Sequence, residues 1–164
     1  MNLDKVAIEI TQNLKHVVFV GAYAVMTHIG PFRRTRDIDL ALASPISDEE
    51  LEKLGYRIFL EKGKKTIYTH GGVKIDVYLK DVSGIPVSRI FDTAITKQIG
   101  KHNIQVVCLE ALLIAKLRAA RPQDIDDIQQ ICRMKGKEID WKVVESLAEP
   151  MEVLDLKMTA SVFK

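Results

Sequence analysis

Three aspartates have the spacing of a metal-binding cluster. Asp37 and Asp39 are two residues apart in the alternating segment DIDLALA, and Asp76 lies in a second alternating segment, VKIDVYL. Side chains at positions i and i+2 of a strand point to the same face, so Asp37 and Asp39 would repel each other without a cation nearby. Such carboxylates suit Mg²⁺ or Mn²⁺, and a third one on a neighbouring strand would complete a two-metal site for phosphoryl displacement.

The aspartate pair also has a purely structural interpretation. Ile38 and Leu40 would then form the buried face of an edge strand, while Asp37 and Asp39 faced solvent. The pair alone supports both interpretations equally. The preceding segment favours the chemical one, because Gly21 stands between the β-branched run HVVFV and a predicted helix. A helix N-terminus attracts phosphate, and a glycine there lets the phosphate approach the backbone.

The order of these features resembles the signature of the DNA polymerase β-like nucleotidyltransferase superfamily. In VVFVGAYAVMTHIGPFRRTRDIDLAL a strand, a glycine, a helix, a basic segment and Asp-x-Asp follow one another. The resemblance assigns Gly21 to the first glycine of the signature, Asp37 and Asp39 to its metal motif, and Asp76 to its third carboxylate. The second small residue of the family is usually Gly or Ser, and here it is Ala22, so a phosphate-binding hydroxyl is lost while the backbone N–H remains.

A second resemblance covers the C-terminal half of the chain. The segment VVCLEALLIAKLRAARPQDIDDIQQI resembles the helical part of the minimal nucleotidyltransferases grouped with the AbiEii-type abortive-infection toxins. Members carry a lysine on a leucine-rich helix, then an arginine, then an acidic pair on the next helix. Lys116, Arg121, Asp124 and Asp127 occupy those places. The two resemblances together cover roughly residues 16–131.

The resemblance implies an enzyme that moves an NMP from an NTP to an acceptor hydroxyl. The triphosphate would lie over Gly21 and Ala22. Asp37 and Asp39 would hold Mg²⁺ or Mn²⁺, and Asp76 would complete the second metal site and take the acceptor's proton. The expected nucleotide-binding residues are Gly21, Ala22, Arg36, Lys116, Asp124 and Asp127.

The sequence leaves the acceptor and the partners open. RNA or tRNA, a small molecule and a protein are all compatible with the resemblance. Arg33, Arg34 and Arg36 slightly favour RNA, although a solvated basic loop explains them equally well. Two other functions stay open: a nucleotide-binding module without turnover, which Ala22 favours, and a toxin–antitoxin component that acts by binding an antitoxin protein.

Length and composition fit a single domain, or a core with a small appended lobe. The chain has 164 residues with a formal net charge of +2, and nothing in its composition indicates disorder. Its two cysteines, Cys108 and Cys132, form no CxxC pattern, which argues against a disulfide framework and favours a reducing compartment. No apolar run is suited to crossing a membrane, and residues 1–5 do not begin a signal peptide, so we expect a cytoplasmic protein.

Hydrophobic patterning indicates which elements would position these residues. Strands are predicted at residues 16–20, 37–43, 56–60, 66–69 and 73–79, and helices at 3–14, 22–29, 47–54, 87–92, 109–120, 122–133, 140–148 and 151–163. Turns are predicted at 61–65 and 100–103. The predicted fold is α+β: a mixed-sheet nucleotidyltransferase core at residues 1–108 with flanking helices, and a C-terminal helical lobe at residues 109–164 packed on it.

Overall fold

A seven-stranded mixed sheet is the framework of the computed structural model, which describes residues 1–61 and 63–164. Its strands are β1 (Val17–Val20), β2 (Asp37–Leu42), β3 (Arg57–Glu61), β4 (Lys64–Tyr68), β5 (Lys74–Tyr78), β8 (Ile95–Ile99) and β9 (His102–Val106). A separate short hairpin joins β6 (Asp81–Val82) to β7 (Ile85–Pro86). The helices are α1 (Leu3–Leu14), α2 (Gly21–Ile29), α3 (Asp48–Lys53), α4 (Val87–Asp92), α5 (Leu109–Ala119), α6 (Pro122–Lys135), α7 (Trp141–Leu147) and α8 (Pro150–Ser161), with a 3-10 turn at Gly136–Glu138.

The strand order of the sheet is β3-β4-β5-β2-β1-β9-β8. The pairs β2/β5 and β1/β9 are parallel, and the other neighbouring pairs are antiparallel. This mixed sheet, with helices packed on it, confirms the predicted α+β class.

Strand β2 lies in the middle of the sheet, between β1 and β5. Ile38 and Leu40 are fully buried, whereas Asp37 and Asp39, which alternate with them along the strand, stay partly accessible on the other face. The edge-strand position that the structural interpretation of the aspartate pair assumed is therefore wrong, while the role of the pair stays a prediction. Carboxylates on one face of a central strand are costly to bury unless cations or hydrogen-bond donors lie near that face.

The helices α5 and α6 connect the two halves of the chain. Helix α5 contacts α2, α6, α7 and α8, and its buried side chains belong to the same apolar cluster as those of β1 and β2. The division of the chain at residue 108 stays a prediction. Within the described residues, no helix is both long and apolar enough to cross a membrane.

Three local features differ from the sequence-based expectation. Helix α2 begins at Gly21, one residue earlier than predicted. The tip of the β6–β7 hairpin, where Ser83 and Gly84 both have positive φ, was not predicted as a turn. Strand β4 begins at Lys64, two residues earlier than predicted, and Lys62 of the predicted turn lies outside the described residues.

Candidate active site

The three aspartates lie on one face of two parallel strands. Asp39 of β2 is the register partner of Asp76 of β5, and Asp37 is two residues before Asp39 on the same face. All three line a cavity of about 230 Å³. Within the described residues, no group of three or more His, Cys, Asp or Glu side chains stands close enough together to form a metal site. The structure therefore brings the predicted metal ligands into one cavity without closing them around a common point.

Asp39 is the carboxylate with the most unusual environment. Its pKa is raised from 3.8 to about 6, mainly by burial and then by the negative charges of Asp76 and Asp37, although Lys116 opposes the rise. A carboxylate held among other carboxylates gains most from a nearby cation. All of the donors are hard oxygens, which is the donor set that Mg²⁺ and Mn²⁺ prefer. The three aspartates thus offer a divalent metal suitable oxygen donors on one face of one cavity, without surrounding a common point.

Lys74 is a cation at this cluster that the sequence analysis did not single out. Its Nζ lies 3.4 Å from Oδ1 of Asp76, and its register partner across the strands is Asp37. The charge of Asp76 raises the pKa of Lys74. Alternation along β5 was the available signal, because residues two positions from Asp76 share its face.

Gly21 allows the strand β1 and the carboxylate of Asp39 to come close together. Its backbone has φ +65, and a Cβ built on it would lie 2.7 Å from Cγ of Asp39. Any larger residue would therefore collide with the carboxylate and strain the backbone. Gly21 was predicted to let phosphate approach the backbone. Its close contact with the carboxylate of Asp39 is a second reason for a glycine here, which spacing along the chain did not indicate.

The N-terminus of α2 opens into the same cavity. Gly21 and Ala22 both line it, and Val20, which precedes the helix, provides no side-chain hydrogen bond to cap it. The first N–H groups of a helix carry partial positive charge and bind anions when no side chain caps them. The predicted position for phosphate is therefore available beside Asp39.

A chain of alternating charges forms the opposite wall. Nζ of Lys116 is 2.8 Å from Asp124 and 2.8 Å from Asp127, and both aspartate side chains are fully buried. Arg33 binds the carboxylate of Asp127 with two hydrogen bonds of 2.8 Å. At the other end, Nε of Arg121 lies 2.6 Å from Asp124. Three cations share two anions, which leaves a net positive charge facing the carboxylates of Asp37, Asp39 and Asp76.

These contacts change how the groups ionise. Burial raises the pKa of Asp124, but hydrogen bonds from Arg121 and Lys116 outweigh it, so the pKa falls below its usual value. The hydrogen bond to Asp127 raises the pKa of Arg33, and the one to Asp124 raises that of Arg121. Asp124, Arg33 and Arg121 are therefore charged at neutral pH, and charged donors of this kind suit the binding of phosphate.

The structure does not place all of the predicted nucleotide-binding residues in this cavity. Gly21, Ala22, Lys116 and Asp124 line it, and Asp127 is buried behind Lys116. Arg36 is exposed and lines a second cavity instead. The lining residues that the sequence analysis did not propose as nucleotide-binding include Arg33, Thr35, Tyr78, Ser83, Arg121 and Gln123.

Tyr78 and Ser83 are two lining residues that the sequence analysis did not propose. Tyr78 shares the face of Asp76 on β5, and burial together with the charge of Asp39 raises its pKa. Ser83 lines the cavity at the tip of the β6–β7 hairpin, where its carbonyl oxygen accepts a 3.0 Å hydrogen bond from Arg118 of α5. Strand alternation could have indicated Tyr78, whereas no local pattern indicates the position of Ser83.

Comparisons with known proteins agree with this geometry. A family model described as a nucleotidyl transferase of unknown function (DUF2204) matches residues 1–156. No curated protein matches the sequence significantly.

Several solved structures share the fold. An antigenic nucleotidyltransferase-like protein from Paracoccidioides brasiliensis has a TM-score of 0.60 at 18% identity, covering 95% of this chain and 85% of its own. The antibiotic-resistance factor ANT(2'')-Ia has a TM-score of 0.59 at 14% identity, covering 99% and 96%. JHP933 from Helicobacter pylori has a TM-score of 0.57 at 13% identity, covering 98% and 89%. At these identities the similarity shows the fold alone.

Proposed function

The chain belongs to the nucleotidyl transferase family DUF2204, and from that premise we propose that it transfers an NMP from an NTP to an acceptor hydroxyl with Mg²⁺ or Mn²⁺ bound at Asp37, Asp39 and Asp76. One observation carries the proposal: the paired Asp39 and Asp76 face the uncapped N-terminus of α2 across one cavity. Carboxylates for metal and N–H groups for phosphate are thereby placed together.

Each wall of the cavity has a separate task in this reaction. The N–H groups of Gly21 and Ala22 bind the triphosphate, and Lys116 and Arg121 neutralise its charge from the opposite side. A bound divalent metal would supply Lewis-acid stabilisation of the charge that develops on the phosphate. Arg33, Asp124 and Asp127 hold Lys116 in position.

The transfer exchanges one bond at the α-phosphorus for another. The acceptor oxygen forms a bond to the α-phosphorus, and the bond from that phosphorus to the oxygen bridging to the β-phosphate breaks. The acceptor's proton passes to the carboxylate of Asp76, and pyrophosphate leaves with its negative charge beside Lys116 and Arg121. Asp76 suits the role of base because its side chain is partly exposed and lines the cavity, so that an acceptor hydroxyl can reach it.

The experiment that tests this function supplies the protein with Mg²⁺ or Mn²⁺ and each α-labelled NTP. Total RNA, whole-cell protein, an aminoglycoside and the protein itself serve as acceptors, and the aminoglycoside is included because ANT(2'')-Ia has been solved with adenylyl-2''-tobramycin. We expect label on one acceptor class and none with Asp37→Asn/Asp39→Asn. The matched control, Glu49→Gln/Glu50→Gln, removes two carboxylates from the exposed helix α3 and keeps the activity.

Label that persists in the aspartate variant would contradict the assignment of the site. NTP binding without label on any acceptor would favour the nucleotide-binding module, with Ala22 as the first residue to examine. The antitoxin partner and the toxin role stay predictions from the sequence resemblance.

A further inference from the structure

A second cavity lies next to the catalytic one. It has a volume of about 940 Å³, and its wall includes the loop that leads from α2 into β2. Arg33 and Thr35 of that loop line both cavities. The two cavities therefore adjoin along this loop, and the second one lies beside the cavity of the three aspartates.

The charge of the second cavity is strongly positive. Arg34, Arg36 and Lys97 line it, and none of the three forms an ion pair among the residues that the structure describes. Of the described residues lining it, Asp4 is the one acidic side chain, and its carboxylate already accepts a 2.8 Å hydrogen bond from Tyr23. Uncompensated cations on a concave surface attract anions and repel cationic acceptors.

The cations stand on two different parts of the fold. Arg34 and Arg36 belong to the loop before β2, whereas Lys97 lies on β8 at the end of the sheet. Apolar side chains of Met26, Pro31 and Ile99 line the cavity as well. Cations spread along an open groove suit a chain of phosphates better than a single anion.

We propose that this cavity binds the sugar-phosphate backbone of a single-stranded RNA, which is the acceptor of the nucleotidyl group. The inference rests on the proposed function and names its substrate class. Arg34, Arg36 and Lys97 hold phosphates of the strand, and its terminal ribose hydroxyl passes Arg33 and Thr35 to reach the catalytic cavity. There the hydroxyl oxygen bonds to the α-phosphorus of the NTP, its proton goes to Asp76 and pyrophosphate leaves.

The binding test measures the affinity for a labelled single-stranded RNA oligonucleotide at several salt concentrations. Three phosphate contacts predict that log K falls with log salt with a slope of about −2, because each contact on a single strand contributes about 0.7. Arg34→Ala/Arg36→Ala should reduce the magnitude of the slope by about 1.4, and Lys97→Ala by about 0.7.

The matched control is Lys137→Ala/Lys142→Ala. It removes two exposed positive charges from residues outside both cavities, so the net charge changes as in the arginine variant. Its slope should stay that of the unmodified protein. An arginine variant that behaves like this control would overturn the site.

The transfer test separates failure of this inference from failure of the proposed function. Label on RNA, with a KM for RNA raised at least about tenfold in the arginine variant, supports the inference. Label on protein or on an aminoglycoside alone overturns RNA as the acceptor, while nucleotidyl transfer stands. Absence of both transfer and NTP binding in the unmodified protein overturns the proposed function and the inference with it.

Discussion

The carboxylate of Asp39 lies against the backbone of Gly21, so that a Cβ on Gly21 would stand 2.7 Å from Cγ of Asp39. The contact exists because Val20, the residue before Gly21, is the register partner of Asp39 in the antiparallel pair β1/β2. One glycine thus positions a catalytic carboxylate and begins the helix whose N-terminus faces it.

Gly21→Ala should therefore abolish the reaction. The new methyl group displaces the carboxylate of Asp39, and the positive φ costs about 1–2 kcal/mol in addition. Gly100→Ala is the matched control, because Gly100 has a similar φ of +59 with nothing within 4 Å of its Cβ position. Both variants should lose a similar backbone contribution to the free energy of unfolding, as measured by urea denaturation. Equal transferase activity in the two would contradict the role given to Gly21.

The raised pKa of Asp39 predicts a pH-dependent stability without metal. Its pKa is about 6 in the folded protein against the usual 3.8, so the folded state binds this proton more tightly than the unfolded state does. The stabilisation is present below about pH 4 and is lost as the pH rises through 6. Asp39→Asn removes the effect, so at about pH 7.5 it should be more stable than the unmodified protein by roughly 3 kcal/mol.

Denaturation in the presence of a chelator, at several pH values from about 4 to 8, measures this difference. Asp155→Asn, on the exposed side of α8, serves as the control for removal of one negative charge. A stability difference that does not change with pH would show that burial of Asp39 has no energetic consequence.

Divalent metal should stabilise the folded protein through the same carboxylates. A ligand at one hundred times its Kd adds about 2.7 kcal/mol, which raises the Tm of a domain of this size by about 5–10 °C. Asp37→Asn/Asp39→Asn should remove the rise, whereas Glu49→Gln/Glu50→Gln should keep it. Thermal unfolding with and without Mn²⁺ measures it, and an equal rise in both variants would place the metal elsewhere.

Arg33 should matter for stability far more than its neighbour Arg34. Its two hydrogen bonds satisfy the carboxylate of Asp127, which is fully buried. If Arg33 is removed, Lys116 alone remains to neutralise that carboxylate. Arg33→Met should lower the free energy of unfolding by about 3 kcal/mol and raise the KM for NTP, because Lys116 loses its fixed position. Arg34→Met should change stability by less than about 0.5 kcal/mol. Urea denaturation of the two variants measures this difference, and an equal loss of stability in both would contradict a structural role for Arg33.

Ala22→Ser should strengthen NTP binding. The residue lines the cavity at the start of α2, and a hydroxyl there can donate a hydrogen bond to phosphate. A hydrogen bond to a charged group contributes about 1.5 kcal/mol or more, so the KM for NTP should fall about tenfold. Ala148→Ser, outside the cavity, is the control. An unchanged KM would mean that the triphosphate does not reach this end of α2.

Local pattern was sufficient to predict the elements that carry the site. Alternation identified β2 and β5, and the apolar face of Ile38 and Leu40 already implied that Asp37 and Asp39 share the opposite face. The glycine after β1 indicated the start of α2. These predictions succeeded because strand alternation and helix N-termini are set by residues a few positions apart.

Tertiary structure decided which side chains meet. The parallel pairing of β2 with β5 made Asp39 and Asp76 register partners, and the packing of α6 against α2 and α5 brought Arg33 to Asp127, 94 residues further along the chain. The fold also placed Arg36 of the loop before β2 in the second cavity with Lys97 of β8. Such contacts depend on the burial and charge of distant residues, which spacing along the chain does not encode.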